Sequence, residues 1–106
     1  MGLSSHQKFT IEQNKLADFA KAFGHPARIA IMQHLIKVDA CVCGDLVDVL
    51  PLSQSTVSQH LKELKKAGVI KGEVEGTKVC YCIDANAWNE GIGFLNTFLK
   101  EIKSCC

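Results

Sequence analysis

The most evident chemistry in this sequence lies in six cysteines, which fall into close pairs: Cys41 and Cys43, Cys80 and Cys82, Cys105 and Cys106. In an extended segment residues i and i+2 point the same way, so Cys41 and Cys43 can turn both sulfurs toward one ion. Soft thiolates suit soft ions such as trivalent arsenic or antimony, cadmium, lead or monovalent copper. A thiolate triad needs a third sulfur. Cys105 and Cys106 are candidates for it, from the same subunit or a partner, against the plainer reading of an idle tail. Cys80 and Cys82 have no argued path to the first pair, and packed or idle thiols are the default there.

A second stretch, Ser53 to Gly68, has the chemistry of a DNA contact. Ser53 is a good N-cap, because its hydroxyl can accept from the free amides of a first helical turn. Val57, Leu61 and Leu64 recur at helical spacing and give one narrow apolar stripe. Around them stand Gln54, Ser55, Thr56, Ser58 and Gln59, short uncharged donors and acceptors suited to base edges. Lys62, Lys65 and Lys66 follow near the end of the helix, where its dipole favours cations, and Gly68 suits a left-handed cap. The plain alternative is an amphipathic surface helix, and its neighbours argue against that.

Those neighbours are the elements that would position it. Gly44 to Leu50 reads as a short helix closed by Pro51, so helix, brief turn and helix follow one another, the helix-turn-helix pattern. After Gly68 come two strand-like runs, Val69 to Glu75 and Lys78 to Asp84, joined near Gly76 as a hairpin wing. On the second run Val79, Tyr81 and Ile83 share one face, expected to be core, and Lys78, Cys80 and Cys82 share the other. Lys71 and Lys78 are candidate phosphate contacts.

Before this unit, Leu16, Phe19, Ala20 and Phe23 give a first helix that Gly24 ends. Pro26 suits the first position of a second helix, with His25 at its cap. Ile29, Ala30, Leu35 and Ile36 point to the core. Residues 1–10 are expected to fray. Residues 85–103 read as a final helix, in which Trp88, Ile92, Leu95, Leu99 and Ile102 follow a 4-3-4-3 spacing. That is the seam of a helix pair, so with the first helix it reads as a dimer interface.

The chain has 106 residues, enough for one domain with a modest core. No apolar run approaches the ~18 residues of a membrane span, and the start does not read as a signal peptide. Six thiols in such a chain point to a reducing cytoplasm and to metal or redox chemistry rather than structural bridges. Net charge is only +1, but Ser53 to Gly72 holds four lysines against one glutamate, a local +3. A basic strip on a near-neutral protein fits weak background DNA binding with added specific contacts.

The run CVCGDLVDVLPLSQSTVSQHLKELKKAGVIKGEVEGTKVCYCI resembles the ArsR/SmtB family of metal-responsive repressors, and GHPARIAIMQHL resembles that family's second helix. The likeness spans roughly residues 14 to 103. It implies a mainly α winged helix-turn-helix of five helices with a small β-hairpin, dimeric, over a single domain 1–106. The CVC is similar to the arsenic-sensing branch, which often has a third cysteine where Leu46 stands here. Arg28, the only arginine, corresponds to a family residue near the DNA backbone or a structural carboxylate. A zinc site on the last helix, known from another branch, would need Asn86, Thr97 and Lys100 as ligands beside Asp84, and is rejected.

The expectation is therefore a cytoplasmic homodimeric repressor of double-stranded operator DNA, joined through its first and last helices. Gln54, Ser55, Thr56, Ser58, Gln59, Lys62, Lys71 and Lys78 meet the DNA. A thiophilic ion, trivalent arsenic or antimony, binds Cys41 and Cys43 with help from Cys105 and Cys106 and releases it. The alternative keeps the DNA function but makes the thiols a redox or persulfide switch. An enzyme is not expected: there is no Cys-x-x-Cys before a helix, no phosphate loop and no legible Cys–His constellation.

Overall fold

The computed structural model describes residues 8–38, 40–43, 46–76 and 78–102. Eight elements follow in order: α1 (Ile11–Ala22), α2 (Pro26–Val38), β1 (Val42–Cys43), α3 (Leu46–Val49), α4 (Gln54–Lys66), β2 (Ile70–Glu75), β3 (Lys78–Ile83) and α5 (Ala85–Lys100). Five helical segments are present, but α3 is a single turn, so four carry the length. The expected final helix, 85–103, stops at Lys100.

Each long helix starts where its sequence offers a cap. Thr10 and Gln13 form a capping box before α1, each side chain bonding the other's backbone amide at 3.0 Å. The His25 imidazole Nδ1 accepts from the Ala27 amide at 3.0 Å, so its capping role before α2 is borne out. Ser53 caps α4 through the Thr56 amide. Asp84 caps α5 by accepting from the Asn86 and Ala87 amides, both at 3.1 Å.

The wing has three strands where the sequence suggests two. The sheet order is β1-β3-β2, all antiparallel. Val42 stands opposite Tyr81 and is buried, which holds the two-residue β1 on the free edge of β3. Two residues are too few for a periodic signal, and that is why the strand is invisible in sequence. Gly68 and Gly76 both have positive φ, +84° and +62°, so the chain leaves α4 and turns between β2 and β3 at glycines, where a left-handed backbone is unstrained.

The core joins α2, α3, α4 and the sheet. Ile31, Leu35, Val57, Leu64, Val69 and Ile70 are fully buried there, each contributing about 1.5–3 kcal/mol by leaving water. Phe19, Phe23 and Trp88 form a cluster of edge-to-face rings between α1 and α5. Tyr81 and Ile83 pack against the core as expected, whereas Val79, nearer the hairpin turn, is 41% exposed.

The expected seam on α5 divides in two. Trp88, Ile92 and Leu95 pack against this chain's own core, and Phe98, Leu99 and Ile102 stand exposed. Phe9 and Ile11 are exposed at the start of α1. Among the described residues no helix is long and apolar enough to cross a membrane.

Candidate DNA-reading face and thiol site

Helix α4 turns Val57, His60, Leu61 and Leu64 inward. On the opposite side Ser55, Ser58, Gln59 and Lys62 follow i, i+3, i+4, i+7 spacing, so they form one continuous exposed stripe. Gln54 and Thr56 flank it, also exposed. Every α4 residue expected to meet DNA is thus on the surface. Three are already engaged: the Ser53 hydroxyl donates to Thr56 Oγ1 at 3.0 Å and lies 3.2 Å from the Ser55 hydroxyl, and Gln59 Nε2 donates to Glu63 Oε1 at 3.4 Å. An exposed amide pair of that kind exchanges readily for a base edge. Lys71 and Lys78 are exposed on the wing strands, one on each arm of the hairpin.

The inward side holds a group that sequence reasoning missed. His60 is 8% exposed and lies against His25, ring centroids 4.4 Å apart. Arg28 Nε donates to His60 Nδ1 at 3.3 Å, so neutral His60 keeps its proton on Nε2. Burial, then His25, then Arg28 push the His60 pKa below its ordinary value. The arginine also donates to the Lys21 carbonyl at 3.4 Å. The guanidinium thus holds an imidazole and a backbone carbonyl. The signal for His60 was its spacing, three residues from Val57 on the buried stripe.

The thiols are placed differently from expectation. Cys41 is bonded to Cys82 in a disulfide whose Cα atoms lie 4.5 Å apart. Cys80 is disulfide-bonded too. The register places Cys43 opposite Cys80 on adjacent strands. So the wing cysteines, which had no argued path to the first pair, stand directly across from it. They are also deeply covered, Cys80 at 1% and Cys82 at 9% exposure, because β3 is the central strand of the sheet. Glu73 on β2 approaches the same place, with a carboxylate oxygen and the Cys41 and Cys82 sulfurs all within 4.8 Å of one another. Cys105 and Cys106 lie outside the described residues.

An exposed polar stripe on the second helix of a helix-turn-helix, followed by a hairpin, is the architecture of a winged-helix DNA reader. The family model for bacterial regulatory proteins of the arsR family matches residues 25–71, the span from the α2 cap into β2. An uncharacterized helix-turn-helix-type transcriptional regulator of Methanocaldococcus jannaschii is 44% identical over 70 residues, covering 65% of this chain and 78% of that protein. This chain belongs to the arsR family. The arsR-family likeness extends to the transcriptional repressor SmtB of Mycobacterium tuberculosis, 47% identical over 64 residues, which cover 60% of this chain. The match spans about half of that repressor, 47% of its length. In fold alone, the chain resembles a homodimeric winged helix-turn-helix domain from Mycobacterium bovis, with TM-score 0.65 and 19% identity over 99% of this chain and 98% of that one. As an arsR-family protein it is a DNA-binding transcriptional regulator, and its relatives are regulators rather than enzymes.

Proposed function

We propose that this arsR-family protein is a homodimeric repressor that reads operator DNA with α4 and lets go when a thiophilic ion binds beside Cys41. The observation that carries the reading is the junction of Cys41 with Cys82 at the root of the helix-turn-helix. From Cys41 the chain runs through β1 directly into α3, whose Leu46 is buried in one cluster with Val57 and Leu61 of α4. Tyr81, one residue from Cys82, lines a hollow with Leu46, Gln54, Val57 and Ser58. An ion that draws β1 and β3 into a new spacing therefore acts on the two elements that hold α4 in place.

The energetic requirement is differential affinity. An ion weakens DNA binding only as far as it prefers the conformation that binds DNA poorly. The expected inducer class, trivalent arsenic or antimony, draws on the thiol count, and Cys82 supplies the neighbour that the tail thiols were invoked for. The dimer is supported by Phe98 and Leu99, left exposed at the end of α5, by Ile102 just beyond it, and by the two-fold operators that such dimers match. The Mycobacterium bovis domain of the same fold is itself homodimeric.

One observation favours a second reading. Because Cys41 and Cys82 are joined as a disulfide, an oxidant alone can reshape the same junction, with no ion involved. Fluorescence anisotropy of a labelled operator duplex separates the two. Arsenite should release the DNA from fully reduced protein. Release by peroxide with no response to arsenite or to cadmium would make the disulfide the signal. No binding to any operator sequence, with the fold intact, would overturn the proposal.

A further inference from the structure

The three-stranded sheet assembles a ligand set that no stretch of the sequence contains. Val42 stands opposite Tyr81 and Cys43 opposite Cys80, so the register carries Cys41 to a place opposite Cys82. On the other side of β3, Glu73 stands opposite Cys80 and Lys71 opposite Cys82. Glu73 is therefore the diagonal neighbour of Cys82, within reach on the same face of the sheet. Val42 and Tyr81 occupy the opposite face, packed against the core cluster, and Cys82 itself is covered, so entry to the site is from the side of Cys41 and Glu73. Glu73 and Cys41 are both exposed, so an ion has a path in.

We propose that in the reduced protein Cys41, Cys82 and Glu73 bind one borderline divalent cation of the zinc or cadmium class. This rests on the thiophilic-ion reading and names the ion class and the donors. Two thiolates and a carboxylate bring three negative charges to a divalent ion. Tetrahedral zinc takes sulfur at about 2.3 Å and carboxylate oxygen at about 2.0–2.2 Å, which separates donors by roughly 3.3–3.8 Å. The three donor atoms lie within 4.8 Å of one another while the two sulfurs are bonded, so after reduction the sulfurs have to move apart to donor spacing and Glu73 is already beside them. The fourth position stays open to water or a further thiolate. Calcium and magnesium prefer oxygen-only shells, and a carboxylate adds nothing to a trivalent-arsenic triad of sulfurs.

The disulfide makes the site conditional. A dithiol reductant breaks the Cys41–Cys82 bond, gives two thiols and leaves as its own disulfide, a two-electron exchange. Binding the cation then displaces both thiol protons. Peroxide runs the reverse course: two thiolates yield a disulfide, two protons are taken up, peroxide becomes two waters, and the cation leaves. Ion and oxidant thus compete for one pair of sulfurs.

The test is cadmium titration of phosphine-reduced protein without DNA, followed by the thiolate-to-cadmium charge-transfer absorption. One equivalent should bind, and it should still bind when Cys105 and Cys106 are both changed to Ser. Cys41→Ser and Cys82→Ser should each abolish the tight phase. Glu73→Gln, an exposed and nearly isosteric change, should weaken apparent affinity by at least about tenfold. Peroxide should expel the bound cadmium. Unchanged affinity in Glu73→Gln, or a full band in Cys82→Ser, would overturn the site. Operator release is measured separately. Protein that binds cadmium through these residues yet stays on DNA retains the site and loses the regulatory reading.

Discussion

Gly91 of α5 lies flat against the ring of Phe19 on α1, so closely that a Cβ on Gly91 would overlap three ring atoms. A glycine inside a helix normally costs about 1 kcal/mol relative to alanine. Here its missing side chain lets α1 and α5 approach and lets Phe19 reach Phe23 and Trp88. Gly91→Ala should gain helix propensity and lose more by overpacking, for a net loss of about 1–2 kcal/mol. Urea unfolding checks this, and a variant more stable than wild type would mean the two helices have room to separate.

The α1–α5 pair also carries the expected dimer contact, and the division of the α5 stripe sharpens its test. Leu95 packs on its own chain, so a charge there disturbs the monomer as well as any interface. Leu99 is 56% exposed, so changing it should leave the monomer intact. Leu99→Glu should give a folded monomer, with helical circular dichroism unchanged and sedimentation at half the mass. A dimer surviving that change at micromolar protein would remove the end of α5 from the interface.

On α4, Gln59→Ala and Thr56→Ala should each weaken specific operator binding by about 1–3 kcal/mol if they lose a base contact. Folding should be unaffected, since both lie off the Val57–Leu61–Leu64 stripe and both are exposed. Lys62→Ala should weaken all DNA sequences alike and lower the salt slope by about one. Normal operator binding by both polar variants would move the reading face elsewhere.

His60 gives the fold a pH dependence whose sign follows from its depressed pKa. The unfolded chain takes up the proton near the ordinary imidazole value of about 6.5, the folded protein only at lower pH. Stability is therefore full above about pH 6.5, falls as pH drops toward the folded value, and changes no further from this group below it. Protonation would set a cation beside the Arg28 guanidinium, in the contact that joins α4 to α2. His60→Gln should flatten that part of the stability–pH curve. An unchanged slope just below about pH 6.5 would assign it to other groups.

The parts legible in sequence are those with local signals. Ser53 and the stripe that follows it announced α4, and Trp88, Ile92 and Leu95 announced α5, because each of these signals lies within one element. What escaped depends on pairing between distant segments. Cys41 and Cys82 are 41 residues apart and meet only through a two-residue strand. Glu73 carries no local signal, and only the register sets it beside them. His60 escaped for another reason: its position said buried while its polarity said exposed, and the Arg28 contact that reconciles them comes from another helix.

The sulfur pairing changes which cysteines should matter for regulation. On sequence alone Cys80 and Cys82 can be replaced with little effect. With Cys82 bonded to Cys41, Cys82→Ser should instead reproduce Cys41→Ser, because each leaves the junction with one sulfur and neither an ion clamp nor a disulfide forms there. Both variants should bind operator within about 0.5 kcal/mol of wild type, since neither residue is on α4. Both should resist release by arsenite or cadmium under reductant, and by peroxide without added ion. Removing the chain after Ser104 should leave release intact, because the wing supplies the second sulfur. The measurement is operator occupancy against ion or oxidant concentration for each protein. Full ion-driven release in Cys82→Ser would place the sensing sulfurs elsewhere. A response lost with the tail and kept without Cys82 would return the missing thiolates to Cys105 and Cys106.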